Sequence, residues 1–300
     1  MPVNKNQYVI VNIWTSEFNE SLPGDNVGHV SLTIYDGTNE TYVSLWPGRN
    51  KQPYTLGMSE HLENIERKAI KAFYNFIERP ASYQPNYERD CILEARAEDD
   101  YRPITNITEC RKGETPYRFD SSTWDFVRLT EQPRAIRPTE QLLAIKLIPA
   151  NFRVVLFSLN VNDILDEFQL LKNPDHITGW KMAGSNFFTR NINTKTSENC
   201  ASIAYRCLNA GGLYSHLGSK HSAPLSSAVS PDDLLRLIVA VKVIEKRQYW
   251  GEIEDWRVSE LEETPIDSII AMYKEKGQDA NATNDVVPSS KPSMGGCSIM

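Results

Sequence analysis

Cysteine is scarce in this chain, and the few that occur suit neither of the usual structural uses. There are 5 in 300 residues: Cys91, Cys110, Cys200, Cys207 and Cys297. The number is odd and no C-x-x-C pair occurs, so the sequence carries neither a disulfide framework nor a zinc signature. That usage fits a reducing compartment, and no metal or other cofactor is expected. Basic clusters are also missing. A formal net charge of −7 argues against nucleic acid as a partner, because such binding needs a positive footprint. Long hydrophobic runs are absent too. The most apolar stretch, LLRLIVAVKVI at 234–244, is interrupted by Arg236 and Lys242 and is too short to cross a bilayer. It reads as a buried helix or strand. The opening MPVNKNQYVIVNIW has no apolar segment of signal-peptide length, so neither a secretory signal nor a transmembrane helix is expected.

What is present is ordinary globular composition, 40% hydrophobic and 24% charged, enough to bury a core without covalent staples. Residues 8–14, YVIVNIW, read as a strand. GHVSLTIYDGTNETYVSLWPG then reads as a hairpin around Asp36-Gly37-Thr38-Asn39. Strand alternation puts Val30, Leu32, Ile34, Val43 and Leu45 on a core face. A turn centred near Gly37-Thr38 sets His29 opposite Trp46, on the face that also carries Ser44.

Residues 58–78 fit an amphipathic helix stopped by Pro80, and 80–135 read as irregular, with short strands around Cys91 and at 124–129. Residues 152–159 read as a strand, followed by a helix capped by Asn160 or Asn162. Residues 177–196 read as a linking segment. The stretch SENCASIAYRCLNAGGL, 197–213, reads as a helix closed by Gly211-Gly212, and Ser230-Pro231-Asp232-Asp233 opens another. From about residue 280 the composition is Asn, Ser, Pro and Gly, that of a flexible tail. The organisation expected is one α+β domain over 1–279 with an insertion at about 50–150, then a tail over 280–300.

Cys200 is the residue with a chemical context. It follows Ser197-Glu198-Asn199, so it stands at a helix start, where the positive end of the helix dipole favours a thiolate. Asn199 is placed to cap that helix, and a backbone N–H beside Cys200 to serve an oxyanion. A free cysteine is more commonly a small buried hydrophobe; Cys207, on the apolar stripe with Ile203 and Leu208, reads that way. A nucleophilic thiol also needs an imidazole. His61 reads as solvated on its helix, His176 as a turn residue, and His216 and His221 as loop residues. His29 opens a strand on the polar face, a rigid support for a general base. Ser44, on the neighbouring strand and the same face, is the best-placed group to orient it. Asp36 and Glu40 lie in the turn.

The order of these blocks, GHVSLTIYDG, then YVSLWPG, then ENCASIAYRCLNAGG, resembles the permuted branch of the papain-like NlpC/P60 superfamily, to which lecithin:retinol acyltransferase-like proteins belong. In that branch the histidine strand comes first and the cysteine helix last. It is also similar to bacterial proteins that pair a Gly-His-x-Ser strand and a Trp-Pro strand with an Asn-Cys helix. The resemblance implies a permuted papain-like fold, with an antiparallel sheet carrying the His strand packed on the Cys helix. It implies Cys200 as nucleophile, His29 as base, a third orienting residue, and a hydrolase or acyltransferase. It does not cover the middle of the chain, and no clear His, Asp or Asn occupies the third position, which leaves Ser44, or a substitute supplied by that middle region. The alternatives within reach of the sequence are a lipid acyltransferase or phospholipase, and a catalytically silent binding module on the same fold.

The chain ends Cys297-Ser298-Ile299-Met300, which matches the C-a-a-X prenylation box, with Met favouring farnesyl. One isoprenoid holds a protein at a membrane only reversibly. The expected partners are therefore a host prenyltransferase and a protein or lipid acyl substrate at a membrane surface. The expected location is peripheral on a host-cell membrane, after delivery from a bacterium. In eukaryotic cells the wild type is predicted to partition partly to membranes and Cys297→Ser to move to the cytosol, as fractionation would show. Equal partition of the two, or a mass spectrum with an unmodified Met300 terminus, would remove the box from consideration.

Overall fold

The computed structural model of the chain describes residues 6–15, 28–48, 80–180, 196–217, 230–249 and 261–275. The helix expected at 58–78, with His61, lies outside the described residues, as do His221 and the tail with Cys297.

The fold is α+β, with antiparallel sheets. β1 (Tyr8–Trp14), β2 (His29–Tyr35), β3 (Glu40–Pro47), β4 (Ala81–Tyr83) and β9 (Phe152–Leu156) form a five-stranded sheet in the order β4-β3-β2-β1-β9. Every neighbouring pair is antiparallel. The β2–β3 register pairs Ser31 with Ser44 and Tyr35 with Glu40, the one that the Asp36-to-Asn39 turn predicts. Asp36 Oδ1 closes that turn by accepting from the N–H groups of Thr38 and Asn39 at 2.8 and 2.7 Å.

Alternation gives this sheet two unlike faces. The aliphatic face, with Val9, Val11, Ile13, Val30, Leu32, Ile34, Val43 and Leu45, is fully buried in the main core. Against it pack α2 (Val161–Lys172) and α3 (Cys200–Ala210), with α4 (Leu213–Leu217) and α5 (Pro231–Gln248) completing the core. α5 contains the apolar 234–244 stretch. Its Lys242 is 1% exposed and donates to Val155 O at 2.5 Å, with Glu263 at 2.9 Å as an ion partner. Among the described residues no helix is long and apolar enough to cross a membrane.

Between β4 and β9 the chain builds a second unit. α1 (Tyr87–Ala97) packs on a four-stranded antiparallel sheet, order β5-β8-β6-β7, made of β5 (Tyr101–Pro103), β6 (Thr115–Asp120), β7 (Asp125–Arg128) and β8 (Glu140–Ile145). The strand expected at 124–129 is β7. The strand expected around Cys91 is instead helix α1. The Asn86 side chain accepts from Arg89 N, Glu88 and Asp90 sit in the first turn where the dipole favours acids, and Ile92 and Ala95 enter the second core. Two other expectations are corrected. Part of the 177–196 segment is a parallel ladder, β10 (Ile177–Trp180) with β11 (Thr196–Glu198). β9 stops at Leu156 rather than 159, because Glu245 Oε1 takes the N–H groups of Phe157 and Ser158 at 2.7 and 2.6 Å.

The turn after α3 brings Gly211 against α2. A Cβ there would lie 2.5 and 2.6 Å from Ile164 Cγ1 and Cδ1, and 3.0 Å from Asn160 O. Asn160 is the α2 cap, and its N–H donates to Gly211 O at 2.9 Å, so the two helices have little room to separate. Gly211→Ala is predicted to destabilise the protein by about 1–3 kcal/mol. Thermal unfolding followed by circular dichroism checks this; an unchanged midpoint would mean that α2 moves aside freely.

Candidate active site

His29 is the first residue of β2, and Gly28 before it has φ +69°, a left-handed turn into the strand that a side chain would strain. The imidazole is 3% exposed. It lies between two indoles, with ring centroids 4.6 Å from Trp46 and 5.4 Å from Trp14. Its Nε2 is 3.1 Å from Asp90 Oδ2 and 3.1 Å from Ser44 Oγ.

Asp90 comes from α1 and is completely buried. Tyr42 Oη donates to Oδ2 at 2.5 Å, and Ser44 Oγ and Trp46 Nε1 each donate to Oδ1 at 2.9 Å. With His29, four donors meet the two oxygens, about the number of lone-pair sites a carboxylate offers. Burial and then the Asp90 carboxylate push the Tyr42 phenol far above its ordinary range, so it stays a donor. Behind Tyr42, Ser31 Oγ lies 2.7 Å away and accepts from Asn12 Nδ2 at 3.2 Å. The polar face of the sheet is thus one connected network.

Cys200 opens α3. The Asn199 side chain accepts from Ser202 N at 2.6 Å, while Asn199 N donates to Ser202 Oγ at 2.8 Å, a reciprocal capping box. Ser202 Oγ donates to the buried Glu198 at 2.5 Å, and Arg206 bridges Glu198 and Glu167 at 3.0 and 2.9 Å. The first turn carrying the thiol is therefore held from β11 and from α2. Cys200 is 9% exposed and lies close enough to the His29 imidazole to act on its charge. Burial alone would push the imidazole down. The Asp90 charge, then that of Cys200, with the hydrogen bond to Asp90, outweigh it and hold His29 well above its ordinary value.

Cys200 and His29 come together, and Asn199 is the cap. Ser44 is also at the site, but it shares its position with Asp90, which the sequence reading missed; Ser44 links imidazole and carboxylate. The sequence signal for Asp90 was the Asn86 cap followed by acids in a first turn. The other thiols sit in unlike surroundings. Cys207 is in the core, where burial pushes it far up; burial pushes Cys91 up to about 12; Cys110, half-buried, is also raised by burial. His176 lies in a turn, and His216 Nε2 contacts Ser158 O at 3.1 Å. Among the described residues, no three His, Cys, Asp or Glu side chains converge as metal ligands would.

No protein-family model, no curated protein and no solved structure matches this chain.

The arrangement assigns unequal weights to Asp90 and Ser44. In Asp90→Asn the burial of His29 is no longer opposed by the carboxylate, so the imidazole should lose its proton about one unit or more lower in pH. Alkylation of Cys200 by iodoacetamide at pH 7 should slow at least about tenfold, and clearly more than in Ser44→Ala. Equal rates in wild type and Asp90→Asn would remove Asp90 from the site.

Proposed function

We propose that the protein is a cysteine-nucleophile hydrolase or acyltransferase of the permuted papain-like type. The observation that carries this reading is the Cys200–His29–Asp90 chain, with a thiol on a helix start, an imidazole at a strand start, and a buried carboxylate 3.1 Å from its Nε2. The order of histidine strand before cysteine helix supports the permuted family, as does the packing of α3 on the antiparallel sheet.

Asp90 and Ser44 occupy Nε2, which leaves Nδ1 to serve the thiol. The thiol proton passes to His29, and the thiolate attacks the carbonyl carbon of an ester or amide. The tetrahedral oxyanion faces the N-terminus of α3, where backbone N–H groups of the first turn have no partner within the helix. As the tetrahedral species collapses, the imidazolium protonates the leaving amine or alcohol, and a thioester remains on Cys200. Water or an amine acceptor, deprotonated by the same imidazole, then releases the acyl group and restores the thiol. Asp90 keeps Nε2–H directed at itself, fixing the tautomer and supporting the transient positive charge. The Cys297-Ser298-Ile299-Met300 box adds a peripheral site of action on a host membrane, the setting of a bacterial effector.

An iodoacetamide-type probe near neutral pH, used in a Cys297→Ser background, is predicted to label Cys200 ahead of Cys91, Cys110 and Cys207. Cys200→Ala should abolish labelling and turnover of acyl ester or amide substrates while changing stability by less than about 1 kcal/mol, since little is removed from the packing. Labelling first at another cysteine, or a large fall in melting temperature, would make Cys200 a core residue rather than a nucleophile.

A further inference from the structure

One buried acid beside the site has no part in this mechanism. Glu94 lies one helical turn after Asp90 on α1 and is 5% exposed. Asp90 has four donors; among the described residues none reaches the Glu94 carboxyl. The titratable groups that act on it are His29 of β2, Asp90 and Cys91 of its own helix, and Glu98 at the end of that helix. Arg96, two residues on, is committed elsewhere. Its guanidinium sits 4.7 Å over the Phe119 ring and 4.9 Å over Trp124, on the side of α1 that meets the second sheet. A buried carboxyl with no donor and two like-charged neighbours is more stable neutral than ionised. Among the described residues, its favourable charge partner is the imidazole itself.

We propose that Glu94 is a further, tuning member of the Cys200–His29–Asp90 site, a carboxyl that stores a proton beside Asp90 and, on releasing it to solvent, strengthens the positive charge on His29. Below neutrality Glu94 is neutral and Asp90 alone supports the imidazolium. Above it, a second negative charge holds the His29 proton more firmly, and the thiolate paired with that imidazolium is favoured with it. Burial, then repulsion from Asp90 and Glu98 against attraction from His29, sets the crossing, pushed up from 4.5 to about 7. The site is thereby more reactive on the alkaline side of neutrality, and this consequence rests on the nucleophile reading above. The storage of the proton does not.

The test uses the full chain and its Glu94→Gln variant, with Glu94→Met as a second variant of similar volume should the first fail to fold. The His29 ring resonances are followed by NMR from pH 5 to 9. In wild type they should show an inflection near pH 7 before the ring itself titrates. In Glu94→Gln that inflection should vanish and the ring should titrate about half a unit or more lower. Stability gives a second readout. Glu94 stabilises the fold fully below its unfolded value near 4.5, and that contribution is lost as pH rises through about 7. The folding constant of wild type should therefore fall about a hundredfold relative to Glu94→Gln over that interval. Iodoacetamide alkylation of Cys200 should rise through pH 7 in wild type and stay flat there in the variant. Identical His29 titrations in wild type and both variants overturn the proposal. A His29 inflection that depends on Glu94, in a protein whose Cys200 is never alkylated, sustains the proton store and overturns the nucleophile reading instead.

Discussion

The carboxylate of Asp90 is the constraint on which the rest of the site depends. It is completely buried, and so is nearly all of its partner His29. A charge in that position survives only with its hydrogen-bonding capacity filled, and removal of one partner from a buried pair typically destabilises by about 3–5 kcal/mol. Three of its four donors, Tyr42, Ser44 and Trp46, come from alternate positions of one strand, β3. The fourth is His29 on β2. The β2–β3 hairpin is therefore a preformed cradle, and α1 is the element that fills it. Nearby contacts hold α1 in place: Trp14 Nε1 donates to Ile148 O at 2.9 Å, Ile148 N to Cys91 O at 3.2 Å, and Ala150 N to Tyr87 Oη at 2.9 Å. The inserted unit thus delivers a buried carboxylate into a sheet built by other parts of the chain.

Half of this arrangement is legible in the sequence, because hairpin geometry is local. Turn residues fix the register, the register fixes which side chains oppose each other, and period-two alternation sorts them onto faces. His29, Ser44 and Trp46 follow from that logic alone, and so does the aliphatic face of the core. The cap at Asn199 and the helix start at Cys200 follow from equally local rules. Asp90 does not. It is 61 residues from His29 in sequence, and no local rule links the two. Its helix is also hard to recognise, because YERDCILEARA carries five charged side chains among few apolar ones. Two of them, Asp90 and Glu94, face inward, and Arg89 and Arg96 spread over aromatic rings of the second unit rather than into solvent. A pattern that assumes charges point outward assigns no face to such a segment. Ser44 is the polar group nearest His29 by strand geometry, and it does lie there, in series with a carboxylate that the same geometry has no means to foresee.

The two faces of the main sheet explain how groups from separate parts of the chain meet. α3 lies on the aliphatic face, with Ala201, Ile203, Ala204 and Leu208 in the main core. α1 addresses the polar face through Asp90. His29 stands at the end of β2, where the sheet no longer separates the two sides, so a thiol from one face and a carboxylate from the other both reach its ring. Placement on the ends of regular elements gives the rigidity that precise proton transfer needs.

This geometry also weighs between an enzyme and a silent module on the same fold. Stability alone gives little reason to keep a buried Asp–His pair, because well-packed apolar residues of similar volume are often as stable or more so. A carboxylate with four donors, an imidazole on that carboxylate and a thiol at the helix start beside it are the features on which the proposed chemistry would draw. The buried polar network under α1 is thus consistent with the proposed chemistry at Cys200, and Glu94, one turn along α1 from Asp90, lies buried beside it.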